Sequence, residues 1–536
     1  MTATAYRSEI VVTEAGFAQL VRSEWTKFRT VRGWVIGLLL AAVLTVLLGF
    51  TVLGGPTPCG AATDCVVVGP NGEAVVDRFV FVQQELTGDG SITARVSSLT
   101  GRIPDFDAPE GADPVAGRTR PGVVPWAKAG VIIKESGTQG SPYAAVMLTG
   151  GHGVRMQDNF TNDVAGAQIP STEPHWLRLT RAGDTVTGYE STDGRTWIPV
   201  GTAQLTGNPA TVHAGMFVAS PEYEVTTQQV GGTNSIGDQS QATAAFDNVD
   251  LEGGASGGEW TVLGIDGEDS SGSDQSGEAG GNGPDRNVAA APAVQQFVES
   301  DGTFTMTGSG DIAPAVAGPG GNTIERGLVG VFAGLVAILV VSTSFVTAEF
   351  RRGLIRTTFI ASPRRGRVLA AKAVVLGTAT FVVGLVSALI AVVVITQLRR
   401  SAGGIVLPVS LLTEVRVVVG TAALLALAAV FALAVGTILR RSAAALTVTI
   451  LLTVLPYLLA VASVLPADPA QWLLRITPAA GFAVTQSTPE YAQVDTAYLP
   501  SIGFFPLAPW AGFAVLCIWT ALALGLANVA LQRRDA

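Results

Sequence analysis

Few side chains in this 536-residue sequence are spaced for covalent chemistry. The three histidines, His152, His175 and His213, lack the short spacings of metal ligands. No G-x-x-x-x-G-K-[ST] phosphate loop occurs, and no glycine is followed by lysine. We also find no pair of carboxylates that the sequence marks as general acid and nucleophile. The sequence therefore predicts no catalytic residue, no metal site and no ATPase site of its own.

Cationic side chains are concentrated in one segment, AEFRRGLIRTTFIASPRRGRVLAAK at 348–372, which holds seven Lys and Arg. They include Arg351, Arg352, Arg356, Arg364 and Arg365. Two interpretations stay open. The cations attract anionic lipid headgroups, or they belong to a short helix over 351–360 that carries force. Such a helix would end near Ser362 and Pro363, because proline disfavours helix at the preceding residue.

A second charged residue stands out before the first apolar run. Helically spaced apolar residues predict an amphipathic helix at the membrane interface, anchored by its tryptophan. They are Phe17, Leu20, Val21, Trp25, Phe28 and Val31. Glu24 falls in the middle of this apolar stripe. Its carboxylate must reach solvent, pair with a cation or meet a protein partner, and pairing with a neighbouring Arg or Lys is the simplest solution.

The elements that position these residues are six strongly apolar runs. They lie at 33–55, 327–348, 373–397, 417–439, 442–466 and 507–531. Each is long enough to cross a hydrocarbon core of about 30 Å. The first starts too late and runs too long for a signal peptide. In the second, Gly330 and Gly334 form a GxxxG pattern that permits close helix approach. The sequence thus predicts a membrane α-helical bundle of six transmembrane helices.

Charge is unevenly distributed about these runs. Residues 56–322 hold 32 Asp and Glu against 12 Lys and Arg, a net charge of −20, whereas the rest of the chain carries +11. Lys and Arg in short loops favour the cytoplasmic side, so they predict cytoplasmic termini and an extracellular 56–322 segment. Arg399 and Arg400 run against this rule. The cations follow the membrane face rather than an aromatic groove, which argues against a nucleic-acid partner.

Two cysteines, Cys59 and Cys65, follow the first apolar run on the predicted outer side. Disulfides persist in that compartment, so a bridge between them is one interpretation, and two free thiols are the other. Cys517 lies within the last run and is most simply a small buried hydrophobe.

Residues of about 75–252 show β patterning. The clearest piece, HWLRLTRAGDTVTGYESTDGRTWIPVG at 175–201, reads as a meander with one buried face. With WAKAGVIIKESG at 126–137, VHAGMFVAS at 212–220 and AAFDNVDL at 244–251, it resembles the concanavalin-A-like lectin/glucanase family. The resemblance implies an all-β jelly-roll sandwich of a kind that often binds carbohydrate. Sugar contact and core burial both stay open for its aromatic residues Trp126, Trp176, Tyr189 and Trp197.

Residues 253–322 are rich in Gly, Ser and Asp and predict a flexible acidic tether. Its strand-like pieces EWTVLGI and GTFTMTGSG could return to the sandwich. Calcium binding by the acidic run does not fit the spacing of an EF-hand loop.

The segments LVRSEWTKFRTVRGW at 20–34, EFRRGLIRTTFIASPRRGRVLAAK at 349–372 and the terminal LQRRDA resemble an actinobacterial type-2 ABC transporter permease. The resemblance implies that residues 17–32 form an elbow helix and residues 351–363 a coupling helix. Contact with a separate ATPase would then involve Glu24, Arg351, Arg352, Arg356, Pro363, Arg364 and Arg365. It also implies an exporter in a bacterial plasma membrane, working as a homodimer or with a second permease. ATP and Mg would bind the partner, and this chain would bind no cofactor.

The predicted organisation departs from that family in one respect, an insert of 267 residues between spans one and two. The order is a cytoplasmic N-terminus (1–32), transmembrane helix one (33–55), the extracellular sandwich (56–252), the tether (253–322), transmembrane helix two (327–348), the coupling loop (349–372), transmembrane helices three to six (373–531) and a cytoplasmic C-terminus (532–536). The alternative function is a membrane-anchored lectin-like receptor or sensor for cell-wall or extracellular glycan. Six spans exceed what an anchor requires.

Overall fold

The computed structural model describes residues 16–52, 66–107, 118–207, 209–229, 232–254, 258–264, 296–316, 323–361, 364–401, 406–496, 498–500 and 503–533. Its helices are α1 (Phe17–Thr30), α2 (Arg32–Gly49), α3 (Val331–Arg351), α4 (Leu354–Ala361), α5 (Arg365–Ile390), α6 (Thr396–Ser401), α7 (Leu411–Leu439), α8 (Ser442–Thr453), α9 (Leu455–Val461), α10 (Ala467–Ile476) and α11 (Pro509–Arg533).

Six of these helical segments are long and apolar enough to cross a membrane, which confirms the predicted number among the described residues. They are α2, α3, α5 continued through a π-helical turn into α6, α7, α8 with α9, and α11. The third starts at Arg365 rather than at 373, because nothing between them breaks the helix and long cationic side chains can reach water from its first turns. The fourth starts at Leu411, where the Ser410 side chain accepts a hydrogen bond from the Thr413 amide.

The most buried span is α7, which packs against α3, α5, α8 and α11. Beside it, α2 and α3 approach each other through the GxxxG pattern. A Cβ atom at Gly330 or Gly334 would overlap Thr45 of α2. The pattern therefore serves a contact within this chain.

The described strands are β1 (Val67–Val68), β2 (Ala74–Asp77), β3 (Val80–Pro104), β4 (Thr119–Pro121), β5 (Lys128–Lys134), β6 (Tyr143–Thr149), β7 (Val154–Asp158), β8 (Asn162–Ala165), β9 (His175–Ala182), β10 (Thr185–Ser191), β11 (Ile198–Gln204), β12 (Thr211–Ala219), β13 (Tyr223–Gln229), β14 (Gly232–Asp238), β15 (Gln241–Gly254), β16 (Thr261–Gly264), β17 (Gln296–Ser300), β18 (Thr303–Gly308) and β19 (Ile312–Pro314). In chain order they follow α2 and precede α3.

A β-sandwich is built around the long strand β3, whose two halves lead into the two layers of one continuous 14-stranded sheet. Its residues 80–87 pair with β12, which continues to β5, β6, β7 and β8. Its residues 90–96 pair with β9, which continues to β10 and β11, and β15 lies on the other side. Apolar side chains from both layers meet in one core that includes Val82, Val146 and Leu177.

The strands that follow residue 252 also join this sandwich. β16, within EWTVLGI, pairs with β3, and β18, within GTFTMTGSG, pairs with β15 and β17. The sheets therefore continue past the boundary expected from composition. Cross-strand pairing rather than local composition decides where the β region ends.

A small sheet of β1, β2 and β19 covers the outer side of the sheet that contains β5. Two buried ion pairs join it to that strand. Lys134 Nζ donates to Asp77 Oδ2 over 2.8 Å, and Lys128 Nζ donates to Asp311 Oδ1. Both lysine side chains are fully buried, and each pair satisfies charges that would be costly alone.

The sandwich contacts one end of the helical bundle, which we call the sandwich end. There the buried amide of Gln493 donates to the carbonyl oxygens of Phe160 and Thr161, over 3.1 and 3.3 Å. Thr496 Oγ1 donates to Glu224 Oε2 over 3.3 Å. The opposite end of the bundle carries α1 and α4.

Candidate functional site

The opposite end of the bundle is organised around the amphipathic helix α1. Glu24 and Phe28 face the bundle and are buried, whereas Phe17 and Trp25 are exposed and Leu20 is half-buried. Phe28 packs between the rings of Trp25, Trp34 and Phe345. The apolar stripe thus has one edge in the bundle core and another at the surface.

Glu24 belongs to a buried cluster of alternating charges. Lys372 Nζ, at the start of α5, donates to Glu24 Oε2 over 2.7 Å and to Glu349 Oε1 over 2.6 Å. Lys27 Nζ donates to Glu24 Oε1 over 2.8 Å and lies 3.5 Å from Glu349 Oε1. We call these four residues the charge cluster. It joins α1, the end of α3 and the start of α5, and its formal charges cancel.

The electrostatics of the charge cluster depend on all its members. Lys372 is 2% exposed, and its ammonium group lies 4.9 Å from the centre of the Phe345 ring. Burial alone would lower the pKa of Lys27, but the hydrogen bond to Glu24 and the charge of Glu349 raise it above its usual value. Removing Lys372, Glu24 or Glu349, whose side chains are buried, would leave a buried charge without compensation.

The predicted short helix follows directly from α3. Gly353 adopts φ +68°, a backbone conformation that favours glycine and ends α3, and α4 then runs over Leu354–Ala361 rather than 351–360. Ile355 of α4 is buried against the bundle. Ile360 is 84% exposed, and Leu354 is also exposed. Thus α4 presents an apolar side chain to its surroundings.

The predicted coupling residues do not form one group. Arg351, Arg352 and Arg364 are exposed around α4. Arg365 turns toward α11, where its Nη1 donates to the Leu531 carbonyl over 2.5 Å, and its guanidinium lies 5.3 Å from the Phe359 ring centre. Glu24 lies in the charge cluster. Pro363 and the side chain of Arg356 fall outside the described residues.

Sequence reasoning identified Glu24 as anomalous but missed Glu349 and Lys372 as its partners. Both stood at the ends of apolar runs, where charges normally reach water. One feature of the sequence could have pointed to them, the depth of Glu24 within the apolar stripe. A carboxylate at that depth needs a cation that the fold can bring to the same level. Lys372 is separated from Glu24 by 348 positions.

The sandwich carries the predicted carbohydrate residues on different surfaces. Trp176 and Tyr189 lie on the outward face of β9 and β10, where Tyr189 is directly opposite Arg178. The Arg178 guanidinium lies 4.1 Å from the ring centre of Trp197, which brings that side chain to the same face. Trp126 is only 4% exposed and stacks on His152. Three of the four aromatics therefore share a surface, and Trp126 occupies a core position.

The structure describes one of the three cysteines. Cys59 and Cys65 lie outside the described residues, and Cys517 is a half-buried free thiol in α11.

Comparisons with solved structures give low overall similarity. A functionally unknown protein from Saccharomyces cerevisiae is 13% identical over 32% of this chain and 74% of that chain, with a TM-score of 0.20. SCP-B, a member of the eqolisin family of peptidases in a complex with the tripeptide Ala-Ile-His, is 9% identical over 43% and 98%, at 0.21. Scytalido-glutamic peptidase with a peptide-based transition state analogue is 7% identical over 43% and 98%, at 0.19. These scores support no conclusion about fold or function.

The family comparison is more informative. No curated protein matches this chain. The model of the ABC-2 family transporter protein matches residues 219–536, which include α3 to α11 and more than half of the chain. Together with the six spans, this match identifies a multi-pass membrane protein. The chain belongs to the ABC-2 transporter family, as a permease subunit of an ABC transporter.

Proposed function

We propose that a separate ATPase subunit drives this permease by docking on α4, and that the transporter exports its cargo. The main observation in support of the proposal is the charge cluster. It joins α1, α3 and α5, and its members Glu349 and Lys372 flank α4 in the chain. Because α4 connects the end of α3 to the start of α5, a push on α4 reaches both spans. The charge cluster would make them move together with α1.

The proposed orientation puts α1 and α4 in the cytoplasm, with both termini, and the sandwich outside the cell. Its support is the distribution of Lys and Arg, since 349–372 alone holds seven. The exposed Trp25 fits a place for α1 at a membrane interface, because tryptophan favours both interfaces, and the choice of side rests on the cations.

The docking surface would combine an apolar tip with flanking cations. Ile360 would enter an apolar groove of the ATPase, and Arg351 and Arg352 would face acidic groups at its rim. Lipid attraction is the competing role for the cations. It does not account for an exposed isoleucine at the tip of a short helix.

The test co-expresses the full chain with candidate ABC ATPase subunits from the same genome and measures co-purification. Ile360→Asp should reduce recovery of the complex about tenfold, because it puts a charge into an apolar contact. Ile198→Asp is the matched control, since Ile198 is an exposed isoleucine of the sandwich, 59% accessible. Full recovery of the complex with Ile360→Asp would contradict docking through α4.

The cations at the rim of the docking surface are tested by a second variant, with complex recovery and ATPase stimulation both measured. Reversing the charges of Arg351, Arg352 and Arg356 to Glu should leave the spans folded and abolish stimulation of the ATPase by the permease. A variant with unchanged assembly and unchanged stimulation would remove the coupling role of these cations.

We further propose that the sandwich binds cell-wall or extracellular glycan through Trp176, Tyr189 and Trp197. Their common outward face supports it, since aromatic side chains in a row can stack on successive sugar rings. The full chain would be tested against glycan arrays. Trp176→Ala and Tyr189→Ala should weaken binding. Ile198→Ala should not, because Ile198 is exposed but pairs with Glu190, on the opposite face of the sheet from Tyr189. Glycan binding without any ATPase partner would favour a lectin-like receptor over a transporter.

We also propose that two permeases assemble, as a homodimer or with a different second permease. The exposed apolar residues of α2 and α11 support either a protein or a lipid neighbour there. Cross-linking of the membrane-embedded chain, followed by its mass, distinguishes a homodimer from a mixed pair.

A further inference from the structure

A cleft of about 160 Å³ opens beside α10, at the sandwich end of the bundle. Its polar wall includes Gln471 and Arg475 of α10, with Glu490 and Tyr498 from the segment that leads to α11. Phe504 closes it on the apolar side. The cleft is too small for a drug-sized ligand and suits a small polar group.

The position of α10 puts this cleft at a membrane surface. Trp519 Nε1 donates to the Ile476 carbonyl at the end of α10, over 2.9 Å. Trp519 lies ten residues after the first residue of α11, which is about 15 Å along the helix. The end of α10 therefore reaches well below the start of the last span.

The outer side of α10 has the character of a lipid-facing surface. Ala470 and Leu474 are buried against the bundle, whereas Trp472 and Ile476 point away and Trp472 is 59% exposed. Trp510, at the start of α11, is 64% exposed. Exposed tryptophans are typical of the boundary between lipid headgroups and acyl chains.

Two opposite charges face the cleft without neutralising each other. The Arg475 guanidinium lies 5.4 Å from the Trp472 ring centre. Among the described residues, the side chains of Arg475 and Glu490 form no hydrogen bond and no ion pair with the protein. Burial raises the pKa of Glu490 while the charge of Arg475 lowers it, so the two groups sense each other across the gap. A half-buried cation at membrane depth normally marks a binding function.

We propose that this cleft binds the headgroup of a zwitterionic phospholipid from the leaflet on the sandwich side, with its phosphate on Arg475 and its amine on Glu490. A guanidinium suits phosphate, and a carboxylate suits an ammonium group. The acyl chains would run along Trp472 and Ile476. An anionic lipid without an amine would leave its charge facing Glu490. The proposal rests on the membrane placement of the chain and does not need an ATPase.

Native mass spectrometry of the full chain, released from detergent micelles, measures the binding of defined lipids. The probes are palmitoyl-oleoyl phosphatidylethanolamine, which carries phosphate and amine, and palmitoyl-oleoyl phosphatidylglycerol, which carries phosphate alone. We expect the ethanolamine lipid to bind about tenfold more tightly, since each charge-assisted hydrogen bond contributes on that scale. Equal binding of the two lipids, or preference for phosphatidylglycerol, would overturn the proposal.

Variants assign the two halves of the headgroup. Arg475→Gln should weaken both lipids about tenfold, whereas Glu490→Gln should weaken only the ethanolamine lipid and so remove the preference. Arg400→Gln, at an exposed cation of α6 at the same end of the bundle, is the matched control and should change neither. Thermal unfolding of each variant verifies the fold. Unchanged lipid binding by a folded Arg475→Gln protein would reject the site.

A competition arm separates a lipid from a soluble ligand. Free O-phosphoethanolamine has the same phosphate and amine but no acyl chains, so it should displace the lipid only at far higher concentration. Displacement at equal concentration would show that the cleft takes a soluble amino-phosphate, and the lipid proposal would fall.

Discussion

Lys372 is the residue on which the charge cluster depends, because it is the only member that bonds both buried carboxylates directly over less than 3 Å. Replacing it by methionine keeps an unbranched side chain only one atom shorter and removes the charge. Glu24 and Glu349 would then repel each other in a buried site.

We predict that Lys372→Met destabilises the chain by about 3–5 kcal/mol, the usual cost of leaving a buried charge unpaired. Thermal unfolding of the detergent-solubilised protein measures the loss. Lys27→Met is the matched control, because the Lys27 side chain is 41% exposed and the remaining Lys372 still pairs both carboxylates. The triple change Lys372→Met, Glu24→Gln and Glu349→Gln should recover most of the stability. Equal losses for Lys372→Met and Lys27→Met would contradict this account.

At the residue scale, the sequence showed which charged and aromatic side chains were unusual more reliably than it showed which partners they contact. Glu24 was expected to pair with a neighbouring cation, and one partner, Lys27, is indeed three residues away. The deeper partner comes from α5, which only the packing of the bundle brings close. Trp126 stands in the turn just before β5 and Trp176 stands in β9, and local alternation could not say which of the two side chains the sandwich would bury.

At the element scale, the close contact between α2 and α3 depends on glycines, which have no side chain. Gly334 sits where the Thr45 side chain and the Ala41 carbonyl oxygen leave no room for a Cβ atom. We predict that Gly334→Leu separates the two helices and lowers stability by about 1–3 kcal/mol or more, the usual cost of overpacking. Gly525→Leu in α11 is the matched control, because the space around its Cβ position is open. Thermal unfolding compares them, and similar values for the two variants would show that the close approach is dispensable.

Elements were predictable where one local property defines them. Hydropathy found all six spans, since a bilayer demands long apolar helices whatever their neighbours. The observed helix ends differ from the predicted ones where the flanking residues are charged, as at Arg365, because charge does not by itself break a helix. The 25-residue strand β3 was not predictable, since its two halves are held by different partners, β12 and β9, that lie more than 75 residues further along the chain.

At the scale of the whole molecule, one segment connects the sandwich with the membrane helices. Gln493 reaches the hairpin of β7 and β8. A few residues earlier, the Ser487 amide donates to Glu325 Oε1 over 3.2 Å, and Arg416 Nη2 donates to the Gln486 carbonyl over 2.6 Å. Glu325 precedes α3, and Arg416 lies in α7. A displacement of the sandwich would therefore be transmitted through this segment to the ends of two spans.

Gln493 is the point at which this connection can be tested. It is 3% exposed, and its amide bonds the carbonyl oxygens of Phe160 and Thr161 at a hairpin where Phe160 has φ +64°. A bulky residue in that region is strained, so the hairpin tip depends on its neighbours for support.

Gln493→Ala removes both hydrogen bonds and leaves the two carbonyls unsatisfied, at a cost of about 1–3 kcal/mol. We predict that amide hydrogen exchange in Val154–Asp158 and Asn162–Ala165 becomes about tenfold faster. Gln204→Ala, whose side chain bonds only Thr185 within β10, should leave that hairpin unchanged. If Gln493→Ala also leaves it unchanged, the hairpin is held by the sandwich alone, and the segment before α11 transmits nothing from it to the spans.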